Sequence, residues 1–314
     1  MNHGDQMAQK PRIMVVGSSN TDMVIKTERL PAPGETVLGG QFVMVTGGKG
    51  ANQAVAAARL GADVTFVARL GMDVFGDKAL ENFKQEGIDT KYISRDMKQP
   101  SGVALIFVDG KGENVIVVAP GANSALSTED IESAEEQMST CSSIVLQLEI
   151  PISTVERAVS LASVKRVRVI LNSAPMCDGG LLASLLEKVD LLIANETEAR
   201  MLISLPNDAE IDEETALRLL DLGIGSAIIT LGAKGALVVE NGRVQAVSSP
   251  RVDAVDTTAA GDAFVGATSV ALSSGMSLFD AAQFAGKAAA ISVTRMGAQS
   301  SLPNMREVEQ FQTE

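Results

Sequence analysis

Four short apolar runs, Ser143 to Gln147, Val167 to Leu171, Leu191 to Ala194 and Ala227 to Leu231, alternate with segments of helical composition, and that rhythm restricts the fold more than any other feature. Strands that are apolar throughout need cover on both faces, and parallel strands joined by helical crossovers provide it. The second half of the chain is therefore predicted to form parallel β-α-β units. An earlier run, Arg12 to Gly17, closes on Gly-Ser-Ser-Asn. It reads as a buried strand ending in a polar loop, the position where open α/β sheets bind ligands.

Other stretches follow different rules. Met23 to Val45 holds a Pro-Ala-Pro-Gly turn between two β-type segments, and Gly102 to Val118 reads as a hairpin around Asp109-Gly110-Lys111-Gly112. Together they predict a small antiparallel sheet set apart from the rest. Gly261 to Val293 reads as two Ala-rich helices split by Ser273-Ser274-Gly275-Met276-Ser277, whose small residues let helices approach closely. No internal repeat or low-complexity linker interrupts the chain.

Composition narrows the function. A net charge of -13, no Trp and a single Tyr oppose a nucleic-acid partner, which demands a basic face and favours aromatic platforms. They do not oppose ATP, because backbone N–H groups, a few local cations and magnesium neutralise phosphates without global positive charge. No apolar run approaches the roughly 20 residues of a membrane span. The polar start MNHGDQMAQKP has no secretory stretch, so a cytoplasmic protein without a membrane partner is expected, with a flexible tail over residues 1–11. Cys141 and Cys177 lack metal-ligand spacing and read as small buried or half-buried thiols. The lone histidine, His3, lies in the tail, which excludes a Ser-His-Asp triad, a Cys-His dyad and a histidine-ligated metal. Chemistry is left to carboxylates, lysines and backbone dipoles.

Neither GxxxxGK[ST] nor a strand-borne GxGxxG occurs, which argues against a P-loop ATPase and a Rossmann oxidoreductase. Two other constellations carry possible chemistry. Thr46 to Ala54 runs from glycines into a helix with the apolar face Ala51, Ala54, Val55 and Ala58, leaving Lys49 and Asn52 on a neighbouring face. Glycines let a hydroxyl-rich ligand approach the backbone, and a lysine and an amide three residues apart converge on its oxygens. The same residues also read as a Gly-rich turn with a solvated lysine. Val255 to Phe264 reads as a strand end followed by a helix of small residues, whose free N–H groups form an anion site. Asp262 in its first turn is placed to accept the proton of an attacking alcohol, or simply to cap the helix. As an aspartate at a helix N-terminus it is expected near its ordinary pKa of about 3.9 and ionised.

In this order and about 210 residues apart, the two constellations resemble the signatures of the ribokinase family of sugar kinases. The likeness runs from Arg12 to Pro303, through Gly17-Ser18-Ser19-Asn20-Thr21-Asp22, Pro33-Gly34-Glu35-Thr36, Gly121-Ala122-Asn123, Gln147-Leu148-Glu149, Asn195-Glu196-Thr197-Glu198 and Thr230-Leu231-Gly232. It implies a three-layer α/β/α sandwich with a mainly parallel sheet, formed by residues 12–20, 47–98 and 120–314. A small β-sheet lid would comprise residues 21–46 and 99–119 and pair with another subunit's lid in a homodimer. The implied activity is ATP-dependent phosphorylation of the 5-hydroxyl of ribose, with deoxyribose, a nucleoside or another sugar as alternative acceptors and a catalytically silent sugar binder as the other alternative.

The resemblance also assigns residues. Asn20, Asp22, Gly48, Lys49, Asn52, Glu149 and Asp262 become sugar contacts, with Asp262 the base and Ala259, Ala260, Gly261 and Asp262 the anion hole. ATP falls to Asn195, the loop Thr230, Leu231, Gly232, Ala233, Lys234 and Gly235, and the Gly261-Asp262 backbone. Asn195 to Glu198 matches a motif associated with magnesium, although Glu198 alone also reads as a helix-surface charge. Asp256, Thr258, Ser292, Arg295, Gly297 and Ser301 match the positions of an activating potassium ion. Ala259 stands where many sugar kinases have glycine, and Ala-Ala-Gly-Asp also occurs among ribokinases.

Overall fold

Consecutive residues of strand β1 (Arg12–Val16) go to opposite sides, Ile13 and Val15 into one apolar cluster and Met14 and Val16 into another. This is the two-residue period of a strand buried on both faces. The computed structural model describes residues 10–111, 114–176 and 180–312. His3, Gly112, Cys177 and most of the expected N-terminal tail lie outside the described residues.

The remaining strands are β2 (Asn20–Lys26), β3 (Gln41–Gly47), β4 (Asp63–Gly71), β5 (Ile93–Asp96), β6 (Gly102–Val108), β7 (Asn114–Ala119), β8 (Ser143–Leu146), β9 (Arg168–Asn172), β10 (Leu191–Asn195), β11 (Ser226–Thr230), β12 (Ala236–Glu240) and β13 (Arg243–Val247). β1 and eight of these form one nine-stranded sheet in the order β13-β12-β11-β10-β9-β8-β1-β4-β5. It is parallel except for the antiparallel edge β11-β12-β13. The four apolar runs of the second half are β8 to β11, each within one residue of its expected bounds. The antiparallel edge is a feature that the alternation did not announce.

Helices α1 (Lys49–Arg59) and α2 (Val74–Gln85) cover one face of this sheet. Helices α3 (Thr128–Ser133), α4 (Glu135–Met138), α5 (Ile152–Lys165), α6 (Ala183–Leu186), α7 (Glu196–Leu202) and α8 (Glu213–Leu217) cover the other. Helices α9 (Ala260–Ser273), α10 (Leu278–Val293) and α11 (Met305–Gln310) return to the face of α1. The result is the expected three-layer sandwich. Gly266 sets the α1–α9 contact: a Cβ there would lie 2.5 Å from Ala56 Cβ and 3.0 Å from the Gln53 carbonyl oxygen. No helix among the described residues is long and apolar enough to cross a membrane.

The separate small sheet has the order β3-β2-β6-β7, and here the expectation needs correcting. Its two hairpins are antiparallel, but β2 and β6 pair in parallel. Parallel neighbours need a long crossover, and the chain supplies one by passing through α1, β4, α2 and β5 of the large sheet between β3 and β6. The small sheet is thereby tied to the sandwich at Asn20, Gly47 and Gly102, where β2, β3 and β6 begin or end.

Candidate active site

Parallel strands deliver their C-terminal ends to one edge of the sheet, and in β1, β8, β9, β10 and β11 those ends carry Gly17-Ser18, Gln147, Asn172, Asn195 and Thr230. A crossing of the chain between β1 and β8, whose connections run to opposite edges, opens a crevice there. Asn20 and Asp22, which alone read as turn residues, instead occupy β2 and are buried. The Asn20 side-chain oxygen accepts from Asn123 Nδ2 at 2.7 Å. Asn123 is itself tied to the Ser19 backbone through both ends of its amide.

Asp22 lies against Gly47, where a Cβ would come within 2.1 Å of its carboxylate oxygen. Gly48 has φ 90 and an added Cβ there would sit 2.7 Å from the Asn20 amide nitrogen. Glycine is required at Gly48 both by conformation and by space. The glycine turn brings α1 in beside Glu149, whose Oε2 accepts from Ser18 Oγ at 2.5 Å and from the Lys49 amide at 3.0 Å. Glu149 is thus held in place rather than left as a loose loop carboxylate.

Asp262 faces the same residues. Its Oδ2 accepts from Asn52 Nδ2 at 2.8 Å and its Oδ1 from Gln53 Nε2 at 3.0 Å. It is not the helix cap: Ala259 holds that position in the left-handed region at φ 61, and no side chain caps α9. The side-chain oxygen Oδ1 of Asn52 is buried without a partner. A buried acceptor left open beside a carboxylate and a lysine is a place for a hydroxyl donor. Asn20, Asp22, Gly48, Lys49, Asn52, Glu149 and Asp262, scattered over 243 positions of the sequence, are thus brought together in one polar cluster.

The electrostatics of this space correct a second expectation. Burial pushes the Asp262 carboxyl above its ordinary value, and Lys49, Asn52 and Gln53 offset only part of the rise. Burial alone would lower the Lys49 ammonium, but Asp262, Glu149 and Glu198 outweigh it and raise it. Asp22 is pushed up to about 7, by burial first and then by Glu149 and Asp262. Asp262, Glu149 and Glu198 therefore share one lysine, Lys49.

A raised carboxyl pKa means that Asp22 favours the folded state when protonated, and that this contribution is lost as the pH rises through about 7. Asp22→Asn is accordingly expected to raise the melting temperature of the ligand-free protein relative to wild type. The gain should be small below about pH 4, grow between there and about pH 7, and be full above about pH 8, as thermal unfolding across that range would show.

On the far side of the first turn of α9 lies a cleft of about 530 Å³. Thr230, Gly232, Ala233 and Gly235 line it from one side, and Thr257, Ala260, Gly261 and Phe264 from another. A Cβ on Gly261 would meet no atom within 4 Å, so this glycine keeps the approach to its N–H open rather than serving packing. The 259–262 turn is thus a partition, with the Asp262 carboxylate on one side and N–H groups of a helix N-terminus on the other.

Some expected residues stand elsewhere. Leu231 and Lys234 shape the 3-10 turn over Gly232–Lys234 without lining the cleft. Asn195 caps α7: its side chain accepts from the Glu198 amide and donates to Glu198 Oε1, so it is occupied in this state. Glu198 is buried, not a surface charge, and also accepts from the Asn195 amide and from Ser173 Oγ. Arg295 pairs with Glu307, and the Ser301 hydroxyl donates to the Ala298 carbonyl.

Sequence reading missed the apolar wall of the cleft, Val247, Pro250 and Val252 together with Ala282, Gly286, Ala289 and Val293 of α10. The signal was present as small residues at helical spacing, but it was read only as helix packing. Cys141 is buried as expected.

Comparison with known proteins fits this arrangement. The description pfkB family carbohydrate kinase matches residues 10–305. This chain belongs to that family. A ribokinase of Haemophilus influenzae is 43% identical over 95% of this chain and 97% of its own length. A deoxyribokinase of Salmonella typhi is 39% identical over 95% and 98%. The solved Arabidopsis thaliana ribokinase complexed with ribose and ATP superposes with a TM-score of 0.87 at 32% identity, over 96% of this chain and 100% of the other. Membership makes the chain a sugar kinase of the ribokinase fold, in keeping with the resemblance read from its motifs.

Proposed function

We propose that this chain transfers the terminal phosphoryl group of ATP to the 5-hydroxyl of D-ribose, giving ribose 5-phosphate and ADP. The observation that carries the proposal is the partition: Asp262 faces a pocket of hydroxyl-binding groups, and the turn that bears it faces a nucleotide-sized cleft. Asp262, with its raised pKa, is the base that takes the hydroxyl proton, and the amides of Ala259 to Asp262 receive the charge of the transferring group. Asn20, Asp22, Gly48, Lys49, Asn52 and Glu149 orient the sugar. The apolar wall and the Thr230 to Gly235 loop hold the nucleotide. Identity alone does not separate ribose from deoxyribose, since relatives of both names match about equally well. The density of polar groups around the pocket, including the open Asn52 acceptor, favours the fully hydroxylated sugar.

Two ions fit the residues present. Among the described residues no cluster of carboxylates is ready to hold a metal directly, and Glu198 is committed to Asn195 and Ser173. Magnesium is thus read as arriving with ATP, neutralising phosphate charge. Asp256 accepts from the Thr258 amide and hydroxyl and from the Gly297 amide, and these bonds, with the charge of Lys26, outweigh burial and lower its pKa. No ion pair among the described residues involves it. An ionised, half-buried carboxylate whose hydrogen-bond donors are neutral and which has no cation within ion-pair distance among the described residues suits a monovalent cation. Asp256, Thr258, Ser292, Arg295, Gly297 and Ser301 are the residues that would surround it, mostly through backbone oxygens.

The small sheet is read as a lid over the sugar, and as a dimer contact. Phe42 and Met44 of β3, Leu105 of β6 and Val117 of β7 expose apolar side chains, with Met44, Leu105 and Val117 in one row across β2, a patch that a second copy would cover. Leu105→Glu is expected to convert a dimer into monomer in analytical ultracentrifugation. ATP and free sugar meet in the cytoplasm, where the reading places the enzyme.

The deciding experiment is ATP consumption with ribose, deoxyribose, adenosine and fructose in parallel, with magnesium, and with potassium present or replaced by sodium. Ribose-dependent turnover that falls when sodium replaces potassium is expected. Turnover only with another acceptor would move the substrate, and sugar binding without turnover would leave a silent binder.

A further inference from the structure

Behind Asp262 runs a buried line of primary amides. Gln147, one residue past β8, donates through Nε2 to Gln53 Oε1 at 2.6 Å. Gln53 on α1 then donates through Nε2 to Asp262 Oδ1 at 3.0 Å and to Asn172 Oδ1 at 3.1 Å. Asn172, at the end of β9, donates onward to the Ile193 carbonyl at 3.1 Å. Gln53 and Gln147 are 0% exposed. Gln53 can therefore touch neither sugar nor nucleotide.

Its amide has one workable orientation. The donor from Gln147 fixes Oε1 on one side, so the NH2 group must face Asp262 and Asn172; the reverse would set an oxygen against a carboxylate. The Gln53 backbone is fixed as well, because its carbonyl lies at the Gly266 crossing of α1 and α9. The arrangement has a cost: Gln147 Oε1 is buried without a partner, close enough to Gly17 that a Cβ there would lie 2.0 Å away. A fold that keeps an open acceptor to secure one donor points that donor at something.

We infer that Gln53 is a positioning residue for phosphoryl transfer: its amide, locked by Gln147 and Asn172, fixes the plane of the Asp262 carboxylate so that the oxygen beside Asn52 is presented to the acceptor hydroxyl. The inference rests on the reading of Asp262 as the base. Two consecutive residues of α1 grip the two carboxylate oxygens, Asn52 from the sugar pocket and Gln53 from the core. The charged groups that act on Asp262 across this site are Lys49 of α1 and Glu149 after β8, and Asp22 of β2 is coupled to it. Neither Gln53 nor Asn172 changes any of them directly.

The test compares wild type with Gln53→Met, which keeps the volume and removes the donor, and Asn172→Asp, which keeps the shape and places a competing carboxylate on Gln53. Ribose binding is measured by calorimetry, and kcat and KM from about pH 5 to about pH 9. Gln53→Met is expected to bind ribose as wild type does and to lose about 100-fold in kcat. The acid limb of its kcat profile should rise by about 1–2 pH units, the value of one hydrogen bond to a charged group. Asn172→Asp should move the same limb upward while ribose binding is kept. A merely structural role would lower stability and active fraction without moving the limb. Folded variants with wild-type kcat and an unmoved limb would overturn the inference, and if Gln53→Met does not fold, Asn172→Asp decides. Wild-type turnover of ribose beside unaffected variants leaves the kinase reading intact and removes only this one, whereas a wild type that binds ribose without turnover removes both.

Discussion

Asp262→Asn should reduce ribose-dependent ATP consumption by about 10²–10⁴-fold while leaving ribose binding largely intact. The amide keeps the shape, and its oxygen can still accept from one of the two donors, Asn52 or Gln53, but it cannot take a proton. An ordinary surface aspartate would be a poor base, and here burial lifts the carboxyl, with Lys49 and two side-chain amides keeping the rise in check. The pH profile of wild-type kcat should then show an acid limb above the usual carboxylate range. Single-turnover kinetics with saturating ribose would separate this from a binding effect, and near-normal turnover of the variant would remove Asp262 from the role of base.

The second large effect is expected from Gly48→Ala. A side chain at φ 90 is strained, and its Cβ would also press on the Asn20 amide and on Ser19 Cα, at 2.7 and 2.8 Å. Both contacts are backbone, so relief requires the turn itself to shift. Strain and overpacking together correspond to ~2–4 kcal/mol. The shift would move Lys49 and Asn52 at the start of α1 and Asn20 at the start of β2. Loss of ribose affinity alongside a lower melting temperature is the expected result, read by calorimetry and thermal unfolding. Gly261→Ala offers the contrast: with no atom within 4 Å of the added Cβ, it should fold normally and weaken phosphate contacts instead.

Much of the architecture was legible because it rests on local periodicity. The fully apolar runs of β8 to β11 could be buried only in a covered parallel sheet, and the small-residue segments of α9 and α10 ended at their Ser-Gly turn within one or two residues. The two glycine-bearing turns announced backbone close to a ligand. What periodicity does not encode is pairing between distant segments. The parallel match of β2 with β6 depends on a crossover through the large sheet, and hairpin signals around each turn could report only the antiparallel neighbours.

The same division holds within the site. The residue types fixed by the chain itself, a carboxylate in a helix first turn, a lysine and amide after glycines, and no histidine beyond His3, determined that any chemistry here would be carboxylate-assisted and free of imidazole. Only the tertiary structure decided what Asp262 is. Isolated on its helix it reads as an ionised cap; packed against α1 it is desolvated, gripped by Asn52 and Gln53, and surrounded by Glu149, Asp22 and Lys49. Desolvation and through-space charge depend on which segments meet, over separations of about 100 to 250 residues, and no local pattern in a sequence carries that information.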